Sequence, residues 1–201
     1  MKNDIPLYLE QWFPTVIGYT YNPNHKKIEA NLSDYCLSLK KEIEPGGKGW
    51  LSSNTYNTSD GQYDLLDDPA FSDLNKWIDT MVQAYVEQNK IKKPVTVKNS
   101  WFNIYKKYDY QEFHKHPESI ISTIYFLKAD KNSSRVVFKT PKDDMFNIKF
   151  SENSPENLEL VYYTPEAGKL LIFPSNISHS VEQHLSDNTR ITLAHNFGQS
   201  V

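Results

Sequence analysis

Arg190-Ile191-Thr192-Leu193-Ala194-His195-Asn196-Phe197 reads with a period of two. Successive side chains of an extended chain project to opposite faces, so Arg190, Thr192 and Asn196 share one face and Ile191, Leu193 and Phe197 the other. His195 alternates away from Arg190. An arginine at the floor of a pocket is costly unless paired, and a dicarboxylate would supply both charge and hydrogen bonds, with Thr192 adding a hydroxyl. The plainer reading is an exposed strand arginine in a surface ion pair.

Upstream of this segment the same texture recurs in short runs separated by polar turns: 95–105, 119–127, 135–139, 147–150, 158–163, 169–173 and 180–184. Before Pro94 the apolar period is that of helices. Asn24 to Glu44 carries apolar residues at i, i+3/i+4 and stops at Pro45-Gly46-Gly47; a second helix opens at Asp68-Pro69 and ends near Asn89, with Phe71, Leu74, Ile78, Met81, Val82 and Tyr85 on one face. A strand pair is expected over Ile5 to Tyr21. Two helices followed by seven or eight strands imply an α+β domain built on a β-sandwich or jelly-roll barrel. One domain spans 1–201, with 1–94 as helical support and 95–201 as the core. The polar stretches Gly46 to Asp64 and Pro141 to Glu159 are expected to form the rim of any cavity.

Chemistry gathers in the second half. His114 and His116 flank Lys115 and so share a face in an extended chain, and His179 follows Phe173-Pro174-Ser175 eleven residues before Arg190. Three neutral imidazoles hold a divalent transition ion and leave coordination positions open, which points to non-heme iron chemistry. The usual facial set is two histidines and a carboxylate, and here the second position is His116. Either all three histidines bind, or Glu118, Glu112 or Asp109 binds while His116 supports, or there is no metal. His25, His184 and His195 read as ordinary structural histidines. Asn103 and Tyr105 share a strand face and are either acid-binding or plain strand residues, and Tyr125 is a weaker candidate for lining the same cavity.

Composition advertises neither a nucleic-acid nor a membrane partner, without excluding nucleic-acid substrates. The formal net charge is −3 with lysine and arginine spread along 201 residues, so no basic patch marks a nucleic-acid surface. No apolar run reaches the roughly 20 residues of a membrane helix. The single cysteine, Cys36, suits a reducing compartment and packs at helical spacing, so a cytoplasmic setting is expected.

These residues resemble the 2-oxoglutarate- and iron(II)-dependent dioxygenases, and among them a set of oxygenases of bacteria and marine phages. The likeness is carried by Trp12-Phe13-Pro14-Thr15, Gly46-Gly47-Lys48-Gly49-Trp50-Leu51-Ser52, Trp101-Phe102-Asn103, His114-Lys115-His116-Pro117 and Phe173-Pro174-Ser175 with His179. It implies a double-stranded β-helix (jelly roll) with the N-terminal helices packed on one sheet and Fe(II) held by His114, His116 and His179. It further implies that Arg190 and Thr192 receive the distal carboxylate of 2-oxoglutarate, and that Asn103 and Tyr105 assist. Oxygen and 2-oxoglutarate would be consumed, giving succinate and carbon dioxide and hydroxylating a small-molecule or peptide substrate in the cytoplasm of a bacterial host or producer. A three-histidine cupin-type metalloenzyme that needs no keto-acid, and a β-sandwich binding protein without catalysis, are the competing readings. Substrate and oligomeric state are not written in the spacing.

Overall fold

The computed structural model describes residues 14–52, 54–59, 63–142, 149–155 and 157–199. Its elements in chain order are β1 (Gly18–Tyr21), α1 (His25–Leu39), β2 (Tyr56–Asn57), a 3-10 turn (Pro69–Phe71), α2 (Ser72–Gln88), β3 (Val95–Tyr105), β4 (Gln111–His114), β5 (Ile121–Lys128), β6 (Val136–Lys139), β7 (Leu160–Tyr163), β8 (Lys169–Pro174), β9 (His179–Val181) and β10 (Arg190–Gln199). One antiparallel sheet runs β1-β8-β5-β10-β3-β2 and a smaller one runs β4-β9-β6-β7. Antiparallel pairing across long crossovers in two facing sheets is the jelly-roll pattern.

Each helix buries the stripe its periodicity marks. α1 turns Leu32, Cys36 and Leu39 inward, and α2 turns Leu74, Ile78, Val82 and Val86 inward. These meet Phe102, Ile104, Leu170, Ile191 and Leu193 on the outer face of the larger sheet. At roughly 1.5–3 kcal/mol for each buried aliphatic side chain, this layer carries much of the fold's hydrophobic stabilisation. A second core lies between the sheets, where Phe126, Leu171 and Phe173 face Val136, Phe138 and Val181. β10 touches both: its odd residues go to the helices, its even ones to the space between the sheets.

Local boundaries depart from the sequence reading in several places. α1 ends at Leu39, before Pro45, because Lys41 N–H donates to Ser38 O and Glu42 N–H to Leu39 O, which tightens the last turn into i→i+3 bonds. α2 stops where expected, with Asn89 at its C-cap, but the start expected at Asp68-Pro69 is a 3-10 turn in which Asp68 accepts from Ala70 N–H, and the α-helix proper begins at Ser72. β4 was not anticipated, and His179 is the first residue of β9 rather than lying before it. Of the strand pair expected over 5–21, β1 is found and residues 5–13 lie outside the described residues, as do Trp12 and Phe13 of the resemblance. Of the strand expected at 147–150, residues 147 and 148 lie outside them and 149–150 belong to no strand.

Candidate metal and co-substrate site

The last residue of β4, His114, pairs in register with the first residue of β9, His179. His116 leaves the strand and is fixed by its N–H donating to Ser175 O at 3.0 Å. Ring centroids stand 4.2 Å apart for His114 and His179, 5.1 Å for His114 and His116, and 5.2 Å for His116 and His179. One nitrogen from each ring falls within 4.8 Å of the others. His114 Nδ1 is 2.8 Å from Glu112 O and His179 Nδ1 is 3.0 Å from Ile177 O. Carbonyls only accept, so both Nδ1 atoms carry the proton and both Nε2 lone pairs are left for an ion. Burial lowers the pKa of all three rings; His116 falls to about 4, and the neighbouring His114 adds to the effect. At neutral pH they are the uncharged, ligating form.

No acidic side chain among the described residues joins the triad. Glu112 accepts instead from Leu51 N–H at 2.7 Å and Ser52 N–H at 3.2 Å, and Asp109 accepts from Lys106 N–H. Glu118 lends only its carbonyl, to Lys98. None of the three acids considered from sequence therefore replaces His116.

Arg190 lies at the closed end of the cavity. Its side chain is 0% exposed, and its guanidinium sits over the Tyr105 ring at 4.4 Å and near Phe126 at 5.3 Å. Stacking on ring faces leaves Nε, Nη1 and Nη2 without a hydrogen-bond acceptor among the described residues. Burial works against this charge, and the nearby Tyr105 side chain works for it electrostatically without forming a well-aligned hydrogen bond. A buried cation with three poorly satisfied donor atoms is costly, and an anion would relieve it. Thr192 and Asn103 sit opposite each other in the β10–β3 ladder, with Asn103 Nδ2 donating to Thr192 Oγ1 at 3.4 Å.

Between triad and guanidinium is a cavity of about 270 Å³, lined by Asn103, Tyr105, Arg190 and Thr192 as well as the three histidines. Tyr125, expected to share it, does not. It pairs with Leu193 on the helix-facing parity of β5, and its hydroxyl is 2.8 Å from His25 Nδ1 while Trp77 packs on its ring. His195 also faces the helices, 2.9 Å from Asn75 Oδ1, and His184 is held by Ser134 N–H and Asn188 O. Part of the 46–64 stretch does line the cavity, through Trp50, Asn57 and Ser59. None of the described residues of 141–159 does.

Two residues that help carry the resemblance, but were not assigned to the site from sequence, line the cavity beside the triad. The Trp50 ring lies 4.9 Å from His114 and the Trp101 ring 5.7 Å from His116. Trp101 shares the β3 parity of Asn103 and Tyr105, so alternation could have found it. Trp50 is carried on a loop that Glu112 helps anchor, through tertiary contacts with no local signal.

Fold and cluster define a class first: a jelly roll with an imidazole triad between its sheets and a guanidinium at the closed end of the same cavity. Residues 99–196 match the model of the family described as "Putative 2OG-Fe(II) oxygenase". Solved structures share the fold at low identity. A Pseudomonas putida prolyl-4-hydroxylase superposes with TM-score 0.62 at 12% identity, covering 93% of this chain and 94% of that one. HygX from Streptomyces hygroscopicus, with nickel and 2-oxoglutarate bound, gives 0.61 at 12%, covering 92% and 84%. A Trichoplax adhaerens prolyl hydroxylase in complex with a hypoxia inducible factor peptide gives 0.64 at 12%, covering 91% and 83%. No curated protein matches the sequence. No described helix is long and apolar enough to cross a membrane.

Proposed function

We propose that this chain is a 2-oxoglutarate-dependent oxygenase in which His114, His116 and His179 hold Fe(II) and Arg190 anchors the co-substrate's distal carboxylate. The observation that carries this reading is the fully buried guanidinium with no acceptor, in the same cavity as three convergent imidazoles. The residues fit the group: three nitrogen donors suit a divalent transition ion and leave positions open, and the orphaned fork suits a carboxylate.

The division of labour follows from placement. Arg190 would meet the carboxylate edge-on through two N–H groups, its plane fixed by the Tyr105 ring beneath it. Asn103 and Thr192 stand one ladder step along, offering an amide and a hydroxyl to the same diacid. Phe126, Phe173 and Val181 keep this end dry, which strengthens every charge interaction there. When bound, iron(II) with 2-oxoglutarate and oxygen supplies the oxidative decarboxylation to succinate and carbon dioxide that drives hydroxylation. Trp50 and Trp101 flank the open side, where a small-molecule or peptide substrate would enter. The whole of 1–201 acts as one unit, residues 1–94 supporting the sheet that carries Arg190. A cytoplasmic setting accords with the single cysteine, buried and unpaired.

Anaerobic calorimetry tests the assignment. With Co(II) in place of iron, 2-oxoglutarate is expected to bind the wild type and not Arg190→Met. Unchanged binding by the variant removes the reading. The absence of a carboxylate from the triad favours one rival, a three-histidine metalloenzyme that needs no keto-acid. Oxygen uptake equal with and without added 2-oxoglutarate would establish it.

A further inference from the structure

His114 and His179 are both locked by backbone carbonyls, which accept only; His116 is not. Its Nδ1 lies 3.5 Å from Asn196 Nδ2, an amide nitrogen that donates. Asn196 Oδ1 accepts in turn from Ser122 Oγ at 2.7 Å, and Ser122 Oγ is 2.8 Å from Ser175 Oγ. Asn196, Ser122 and Ser175 are all buried, and this chain of contacts gives their side-chain polar groups protein partners. Ser175 also holds the His116 backbone, through its carbonyl.

Run in this direction, Ser175 to Ser122 to Asn196 to His116, every donor is used. A neutral imidazole whose Nδ1 accepts must carry its proton on Nε2, the nitrogen left for an ion once Nδ1 is engaged by Asn196. That tautomer cannot ligate through Nε2. A half-turn of the Asn196 amide reverses the line: Nδ1–H of His116 donates to Oδ1, Nδ2 donates to Ser122 Oγ, and Nε2 is freed. Both directions obey donor and acceptor rules, and only one makes a third ligand.

We infer that Asn196, backed by Ser122 and Ser175, is a positioning residue whose amide orientation decides whether His116 serves as the third metal ligand. This rests on the metal reading above. The triad is then two fixed ligands and one conditional ligand, and the conditional one stands where a carboxylate is the usual donor.

Two readouts test it, neither of them turnover. The first is the tautomer of His116 in metal-free protein, read from histidine side-chain 15N NMR spectra. Wild type should show the Nε2–H form, and N196D, whose carboxylate only accepts, should show Nδ1–H. S122A, which removes the hydroxyl holding Oδ1, should move in the same direction, and it decides the matter if N196D does not fold. The second is Co(II) titration: N196D should bind about tenfold tighter than wild type, and N196L about tenfold more weakly. Identical His116 tautomers in wild type and both variants, or Co(II) affinities in N196D and N196L within about threefold of wild type, overturn the inference. If wild type binds Co(II) no better than His179→Ala, the metal reading fails and takes the ligand role with it, while the tautomer spectra still judge the relay.

Discussion

At the scale of single residues, Arg190 and His195 are one strand's two buried bases, and they predict opposite experiments. Arg190 is a charge held without an acceptor, so Arg190→Met should abolish 2-oxoglutarate binding yet raise stability in its absence. The gain should be roughly 1–3 kcal/mol, the desolvation relieved less the stacking on Tyr105 that is lost. Urea melts without ligand check the sign, and a destabilised variant would show the guanidinium to be paired. His195 is held neutral by burial, its pKa lowered from 6.5 to about 3. Unfolded, the ring takes a proton near 6.5; folded, only near 3. Between those values the unfolded state holds the extra proton, so stability falls as pH drops through that window, by up to about 1.4 kcal/mol per unit. His195→Gln should flatten that part of the pH–stability curve, and below pH about 3 the two curves should run parallel again. Arg190, Thr192, Asn103 and the parity of His195 were legible because a period of two fixes faces without any partner strand. Tyr125 was not: in Thr123-Ile124-Tyr125-Phe126-Leu127 both faces are buried, so alternation carries no sign and only pairing with Leu193 settles the direction.

Among elements, the informative pair is β4 with the loop that holds Trp50. Gln111-Glu112-Phe113-His114 lacks the apolar alternation of a strand because β4 lies at the edge of the smaller sheet, with its register broken between Gln111 and His114. Its strand character comes from β9, far along the chain, which is why sequence missed it. Glu112 is half of a clamp. Its burial raises its pKa, and hydrogen bonds from Ser52 and Leu51 more than offset that, so the carboxylate stays charged. Glu112→Ala should free the amides of Leu51 and Ser52, visible as faster hydrogen exchange there while β3 and β10 stay protected. The stability loss should be about 1–2 kcal/mol, small because the contact is near the surface. If exchange at Leu51 is unaltered, the loop is held by something else. The helices were the easiest elements to read, since Asp68-Pro69 and the i, i+3/i+4 stripes act locally.

Taken whole, the molecule has two cores sharing one sheet. Among the described residues, the face of Phe102, Ile104, Ile191 and Leu193 is covered by α1, α2 and their connections, so residues 95–201 expressed alone should aggregate rather than fold. A soluble fragment with a cooperative melt would contradict this. Binding should report globally as well: Co(II) with 2-oxoglutarate at about one hundred times its dissociation constant should add about 2.7 kcal/mol to unfolding, against little in Arg190→Met. β10 joins these levels. Its pairing shifts between Ile191 and Thr192 against β5, and between Asn196 and Phe197 against β3, so an irregularity pins each end of the strand. A slip of one position would turn isoleucine into the cleft and the guanidinium toward the helices. Misassembly here has no graded form: a molecule that seats this strand has both its chemistry and its interior, and one that misses by a single step has neither.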